Sequence, residues 1–281
     1  MKSYAKLNLT LKITGVNGGY HTLDSVVASI DIYDLIVLRG RKDCQVTVTM
    51  HGCGSESIPP EHNNALKAAR AFMQNYGTLG VDITVYKNIP LGAGLGGSSA
   101  DSAGVLKGMA KLFDISDTVG IKLLADSLGS DTKYMLEGGY ARLFGRGDEV
   151  VKISSPLKAN MLLLVPNCAV STPECYSLYD GLGGENCPAG DTAQLAIEQN
   201  DLFSLCKCLK NDLSPAAKKL SHEVESAYKS LLSFSPLAVN ITGSGCGVYA
   251  VFESAELRDY AKSRYTGSAR AIPVKTIIPK N

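Results

Sequence analysis

Tryptophan is absent from this 281-residue chain, histidine occurs only four times, and neither sign of charge prevails. Lys and Arg number 28 against 27 Asp and Glu, a formal net charge of +1. A chain so balanced predicts neither a basic face for nucleic acid nor an acidic tail. Long apolar runs are also missing, and nothing approaches the roughly 18 residues that a membrane-crossing helix needs. Met1 to Lys6 lacks the apolar core of a secretion signal, so a cytoplasmic protein is expected. The eight cysteines form no C-x-x-C pair and no Cys/His cluster at zinc spacing. Cys206 and Cys208 are the closest pair, and on a helix they point to different sides. All eight read as reduced thiols. There is no internal repeat, and no hydrophobic stripe marks a surface for an obligate protein partner.

Strand and helix signals interleave throughout. Lys6 to Ile13, Val46 to Met50 and Val81 to Val85 alternate apolar and polar residues, as half-buried strands do. Asn64 to Tyr76 reads as a helix stopped by Gly77. Ala103, Leu106, Ala110 and Phe113 share one face of a helix that starts near Ser98. Val119 to Leu128 reads as a further helix. After the turn-rich Gly138-Gly139 and Gly145 to Asp148, Met161 to Val165 is an apolar strand. Segment 181–190 reads as a surface loop. Ser214-Pro215 predicts the cap and first position of a helix whose stripe is Leu220, Val224, Ala227 and Leu231. Val248 to Phe252 reads as a strand, Ala255 to Ser263 as a helix and Ile272 to Ile278 as a last strand. The pattern is α+β in two lobes, with a boundary near residue 150.

One stretch carries chemistry: Pro90-Leu91-Gly92-Ala93-Gly94-Leu95-Gly96-Gly97-Ser98-Ser99-Ala100-Asp101. Its glycines bare the backbone N–H groups, and the positive end of a helix follows, which suits a bound phosphate. Gly92, Gly94 and Gly97 satisfy the dinucleotide fingerprint G-x-G-x-x-G, but a second helix follows where a parallel strand should. Gly92 and Gly97 have Walker A spacing, but Ser98 stands where the phosphate-binding lysine must be. There is no V-A-I-K strand or H-R-D loop of a protein kinase. A glycine-rich turn without a ligand is a further reading, against which the serines and the immediate helix count.

Residues 90–100, as P-x-G-x-G-L-G-x-S-S-A, resemble the phosphate loop of the GHMP kinases, named for galactose, homoserine, mevalonate and phosphomevalonate. Ala5 to Leu11 resembles that family's first motif and Ile241 to Gly247 its third. The resemblance implies an N-terminal ribosomal-protein-S5-like domain over 1–150 and a ferredoxin-like domain over 151–281. The active site would lie in the cleft between the two lobes. It implies ATP as co-substrate with Mg²⁺, Ser99 being a candidate contact to the metal. ATP contacts would come from Asn63, Lys87 and the loop from Pro90 to Ala100.

An alcohol acceptor must lose its proton as the phosphoryl group arrives, and a carboxylate close by is the usual means. By resemblance Asp131 is that catalytic aspartate and Lys6 the catalytic lysine, a cation that could keep Asp131 ionised. Without the family, Asp131 would read as a turn residue and Lys6 as a solvated strand lysine. Gly19 to Leu23, Ala28 to Asp34, Gly145 to Asp148 and the run from Pro166 to Tyr176 resemble one branch in particular. Its acceptor is a tertiary hydroxyl on a cytidyl diphosphate, in isoprenoid precursor synthesis. That implies Tyr176 stacked on cytosine, His21 beside Tyr20 at the base edge, and the base between His21 and Tyr176. Asn8, Thr172, Gly243 and Ser244 would approach the acceptor, and Arg146 its diphosphate. Two departures stand out: Thr132-Lys133 where the family has Val-Pro, and Gly15 to Gly19 without the usual Arg and Asp. A homoserine or mevalonate branch, or a nucleotide-binding member without catalysis, are the alternatives.

Overall fold

A computed structural model describes residues 1–279, the side chain of Ser57 excepted. The chain opens with β1 (Lys2–Asn8), β2 (Lys12–Asn17) and the 21-residue β3 (Tyr20–Gly40). β4 (Val46–His51), α1 (Asn64–Tyr76) and β5 (Val81–Tyr86) follow, then α2 (Gly97–Leu112), α3 (Thr118–Leu128) and α4 (Thr132–Glu137). β6 (Tyr140–Gly145) and β7 (Glu149–Ile153) complete a seven-stranded sheet of order β4-β5-β3-β6-β7, with β1 and β2 also paired to β3. β3 is its spine, pairing antiparallel with β1, β2, β5 and β6.

The second half is β8 (Asn160–Val165), α5 (Thr172–Leu182), α6 (Gly190–Glu198), α7 (Leu202–Cys208), α8 (Ser214–Leu220) and α9 (His222–Leu232). β9 (Ala238–Ile241), β10 (Val248–Phe252), α10 (Ala255–Arg264) and β11 (Arg270–Lys275) close it. Its sheet has the order β11-β8-β10-β9, all pairs antiparallel, which is the fourth-first-third-second order of a ferredoxin-like lobe. The expected α+β, two-lobed architecture is therefore present. Sheet membership changes after Ile153, since β7 crosses residue 150. One cluster of buried apolar side chains runs through both lobes, from Leu7, Leu9 and Val26 to Leu163, Ile241 and Tyr249.

Local signals hold where a residue must do something physical. Asn63 caps α1 by accepting from the N–H groups of Ala65 and Leu66, and Gly77 ends it at φ +63°. Four expectations need correction. Lys6 to Ile13 is not one strand: the Leu9 and Thr10 N–H groups both donate to Val26 O of β3, but the Leu11 N–H donates to Lys210 O and Leu11 O accepts from Asp212 N, so the chain turns to the other lobe at Leu11. Ser214 is the first residue of α8 rather than its cap, and its hydroxyl has no hydrogen-bond partner. The helix behind it is two helices, because the Ser221 hydroxyl accepts from Val224 N and starts α9, leaving Leu220 exposed. The last strand ends at Lys275, after which Thr276 bridges to Ile30 and the Ile277 N–H donates to Ser29 O. That tail stitches the second lobe to the first.

Candidate active site

Residues 88–96 leave the end of β5 and turn into the N-terminus of α2. Gly92, Gly94 and Gly96 have φ of +66°, +71° and +68°, a region open to glycine at no steric cost. Gly96 caps α2 without a side chain, so the first N–H groups of the helix stay open to an anion. Gly94 is held against the third motif, where a Cβ would lie 2.2 Å from Thr242 O. Cys246 N donates to Gly92 O, Gly247 N to Ala93 O and Lys6 N to Leu95 O. The three sequence motifs thus meet through backbone hydrogen bonds. Ala93, Leu95 and Ala100 bury their side chains in the core, while Leu91 and Ser98 point outward.

Beside the loop, Lys6 Nζ lies 3.4 Å from Asp131 Oδ2 and donates to Asn8 Oδ1 at 2.6 Å. Asn8 is fixed in turn: its Nδ2 donates to Ser25 Oγ, and its backbone oxygen accepts from Tyr249 OH. Asp131 is the residue before α4, held by the turn after Gly129. Lys133, the departure next to it, turns away. Its Nζ donates to Asp126 Oδ2 at 3.0 Å and to Asp148 O at 3.1 Å.

Lys6, Asn8, Gly94, Gly96, Ser99, Asp131, Thr172, Gly243 and Ser244 line a cavity of about 730 Å³. Tyr20, His21, Arg146 and Tyr176 line its aromatic part. On α5, Thr172, Tyr176 and Asp180 recur every four residues, so all three face the cavity. Thr172 Oγ1 and Ser244 Oγ are 2.8 Å apart, tying α5 to the third motif. Arg146 lies over the Tyr20 ring at 4.0 Å, a cation–π contact. The His21 and Tyr176 rings stack at 4.7 Å and 27°. The two rings thus touch at the place where the resemblance put a base between them. Burial holds the Tyr176 phenol neutral, with its pKa pushed up to about 12.

Of the expected nucleotide contacts, Gly94, Gly96 and Ser99 line this cavity and the others do not. Asn63 spends its side-chain oxygen on the cap of α1. Lys87 is buried beneath the loop, where Nζ donates to Asp34 Oδ2 at 2.5 Å and to Asp101 Oδ2 at 2.6 Å. Its ammonium therefore braces the loop from below. Burial works against that charge, but Asp101 and Asp34 outweigh it and raise its pKa. Asp101 is raised to about 7, by burial first, with Lys87 opposing and Asp34 adding to the rise. Asp34 also accepts from the N–H groups of Asn88 and Ile89, which sets the entry to the loop. Sequence reasoning missed Asp34, Asp101 and Asp180. Helical spacing from Tyr176 could have found Asp180, but no local pattern links 34, 87 and 101.

Among the described residues no three of His, Cys, Asp and Glu converge to hold a metal ion, and no helix is long and apolar enough to cross a membrane. A glycine loop at a helix N-terminus and a lysine–aspartate pair facing one interlobe cavity define a phosphoryl-transfer site on a two-lobed α+β fold. Residues 63–139 match the family model for the GHMP kinases N terminal domain. The chain belongs to the GHMP kinases and is an ATP-dependent small-molecule kinase. Within that family it is 37% identical over 264 residues to 4-diphosphocytidyl-2-C-methyl-D-erythritol kinase of Desulfitobacterium hafniense, covering 91% of this chain and 88% of the relative. It is 35% identical to the enzyme of the same name from Clostridium tetani, covering 94% of each. A crystal structure of 4-(cytidine 5'-diphospho)-2C-methyl-D-erythritol kinase superposes with a TM-score of 0.80 over 98% of both chains, at 24% identity.

Proposed function

We propose that this kinase transfers the γ-phosphoryl group of ATP to the 2-hydroxyl of 4-diphosphocytidyl-2-C-methyl-D-erythritol, giving the 2-phosphate and ADP in isoprenoid precursor synthesis. One observation carries the reading: a single cavity joins the loop and the Lys6–Asp131 pair to the aromatic end at Tyr20, His21 and Tyr176. A cytidyl diphosphate is a molecule with those two ends. The ATP phosphates lie on the N-terminus of α2, against the bare backbone of Gly92 to Gly97. Asp131 takes the proton of the acceptor hydroxyl as the new P–O bond forms. Lys6, 3.4 Å away, offsets negative charge on the moving group. Asn8 holds the Lys6 ammonium in place. Thr172 and Ser244 offer hydroxyls to the acceptor, and Arg146 its guanidinium to the diphosphate. Magnesium bound to ATP would neutralise phosphate oxygens, and among the described residues the Ser99 hydroxyl at the cavity is a candidate contact for it. ADP release with this substrate, compared with homoserine and mevalonate, tests the proposal. Turnover only with one of the latter two would overturn it.

A further inference from the structure

Asp180 lines the cavity but has no part in the scheme above. It stands one helical turn beyond Tyr176 on α5, and its Oδ1 lies 2.7 Å from His21 Nε2. An ionised carboxylate only accepts hydrogen bonds, so the His21 proton must sit on Nε2. The ring is clamped by its stack on Tyr176 and by the edge of Tyr179, at 6.1 Å between centroids. Among the described residues, no hydrogen bond engages His21 Nδ1. In a neutral imidazole that nitrogen is then a lone-pair acceptor. His21 faces the cavity, so Nδ1 is the polar atom that it offers to an occupant.

We infer that Asp180 is a specificity-determining positioning residue: by pinning the His21 proton on Nε2, it leaves Nδ1 to accept from the exocyclic amine of a nucleobase and turns it against a carbonyl at the same place. The inference rests on the cytidyl reading and deepens it. Cytosine presents an amino donor at that edge, whereas uracil presents an acceptor there, as thymine does. An acceptor facing an acceptor is penalised, because neither lone pair finds a proton. Asp180 itself is more than half exposed, so its grip on His21 is partly shared with water.

Two measurements on the full chain test this. The first compares kcat/KM for the cytidyl substrate and its uridyl counterpart in the unaltered protein, Asp180→Ala and Asp180→Asn. The expected preference for cytidyl falls about tenfold in Asp180→Ala, through KM for that substrate, with kcat and KM for ATP within about twofold. It falls further in Asp180→Asn, whose amide can donate to Nε2 and move the ring proton to Nδ1. An unchanged base preference in both variants, with native circular dichroism, overturns the inference. The second measurement is nitrogen-15 NMR of the ring nitrogens, which four histidines keep simple and His21→Gln assigns. An Nε2–H tautomer in the unaltered protein that is lost in Asp180→Asn supports the inference. A doubly protonated ring near neutral pH, or the same tautomer in both proteins, overturns it. Failure of the substrate reading shows separately, as absence of turnover with either nucleotide, and the NMR result stands without it.

Discussion

Around the glycine loop the cavity wall is made of backbone, whereas around His21 and Tyr176 it is made of side chains. At the first end, three chain segments exchange N–H···O bonds, and glycines at positive φ let them approach. At the second end, a stacked ring pair, an Arg over a Tyr and a His–Asp contact do the work. Phosphate is the same in every substrate, so a rigid backbone cradle suits it. Nucleobases differ at their edges, so side chains on α5 and at the start of β3 are where discrimination can be built. The two ends should therefore fail differently. Damage at the loop should cost stability and chemistry, and damage at the aromatic end should cost substrate affinity.

The largest effect is expected for Asp131→Asn, which keeps the shape but removes the proton acceptor. Its kcat should fall by about 10²–10⁴-fold, with KM for ATP within about twofold, in a coupled ADP-release assay. Full activity in that variant would remove Asp131 from the mechanism. Lys87→Met leaves two carboxylates facing each other under the loop, and breaking a buried ion pair costs about 3–5 kcal/mol. Chemical denaturation reads that loss, and a variant as stable as the parent would show that the brace beneath the loop is dispensable.

The same cluster predicts a pH dependence. The folded protein holds a proton on Asp101 up to about 7, which the unfolded chain releases near 3.8. Stability from this group is therefore complete below about 4, declines as pH rises toward 7 and is level above that. Asp101→Asn should flatten the decline when unfolding midpoints are compared across that range. A steeper decline in that variant would contradict the assignment.

Gly94→Ala places a Cβ 2.2 Å from Thr242 O at a φ of +71°. The left-handed backbone costs about 1–2 kcal/mol, and displacing the carbonyl adds about 1–3 kcal/mol. Differential scanning calorimetry should show a lowered transition, and titration with ATP should show weaker binding. At the other end, Tyr176→Ala should raise KM for the cytidyl substrate about 10–100-fold, since stacking on a base is worth about 1–3 kcal/mol. The ring also packs against the core, so unfolding should shift as well. An unchanged KM in the folded variant would erase the contrast between the two ends.

Much of the phosphate end was legible along the chain because its physics is local. Bare backbone requires consecutive glycines, and a helix start requires the amphipathic run behind them. Gly77 and the α2 stripe were readable for the same reason. Where the sequence misled, a long-range contact had overridden a local pattern. Lys6 to Ile13 keep strand alternation, yet Leu11 bonds to Lys210 and Asp212 across the molecule. Ser214 has cap chemistry, yet the chain turns one residue earlier. Lys87 looked like a nucleotide contact because it precedes the loop, and only burial between Asp34 and Asp101 shows what it holds.

The order of residues alone settled that phosphate is handled here, because glycine, serine and helix must be contiguous to expose N–H groups to an anion. The tertiary structure decided what that cradle is joined to. Lys6 and Asp131 are 125 positions apart and meet at 3.4 Å. His21 and Asp180 are 159 apart and meet at 2.7 Å. Charge and hydrogen bonding act through space over a few ångströms, so no spacing along the chain could state which side chains would share that distance.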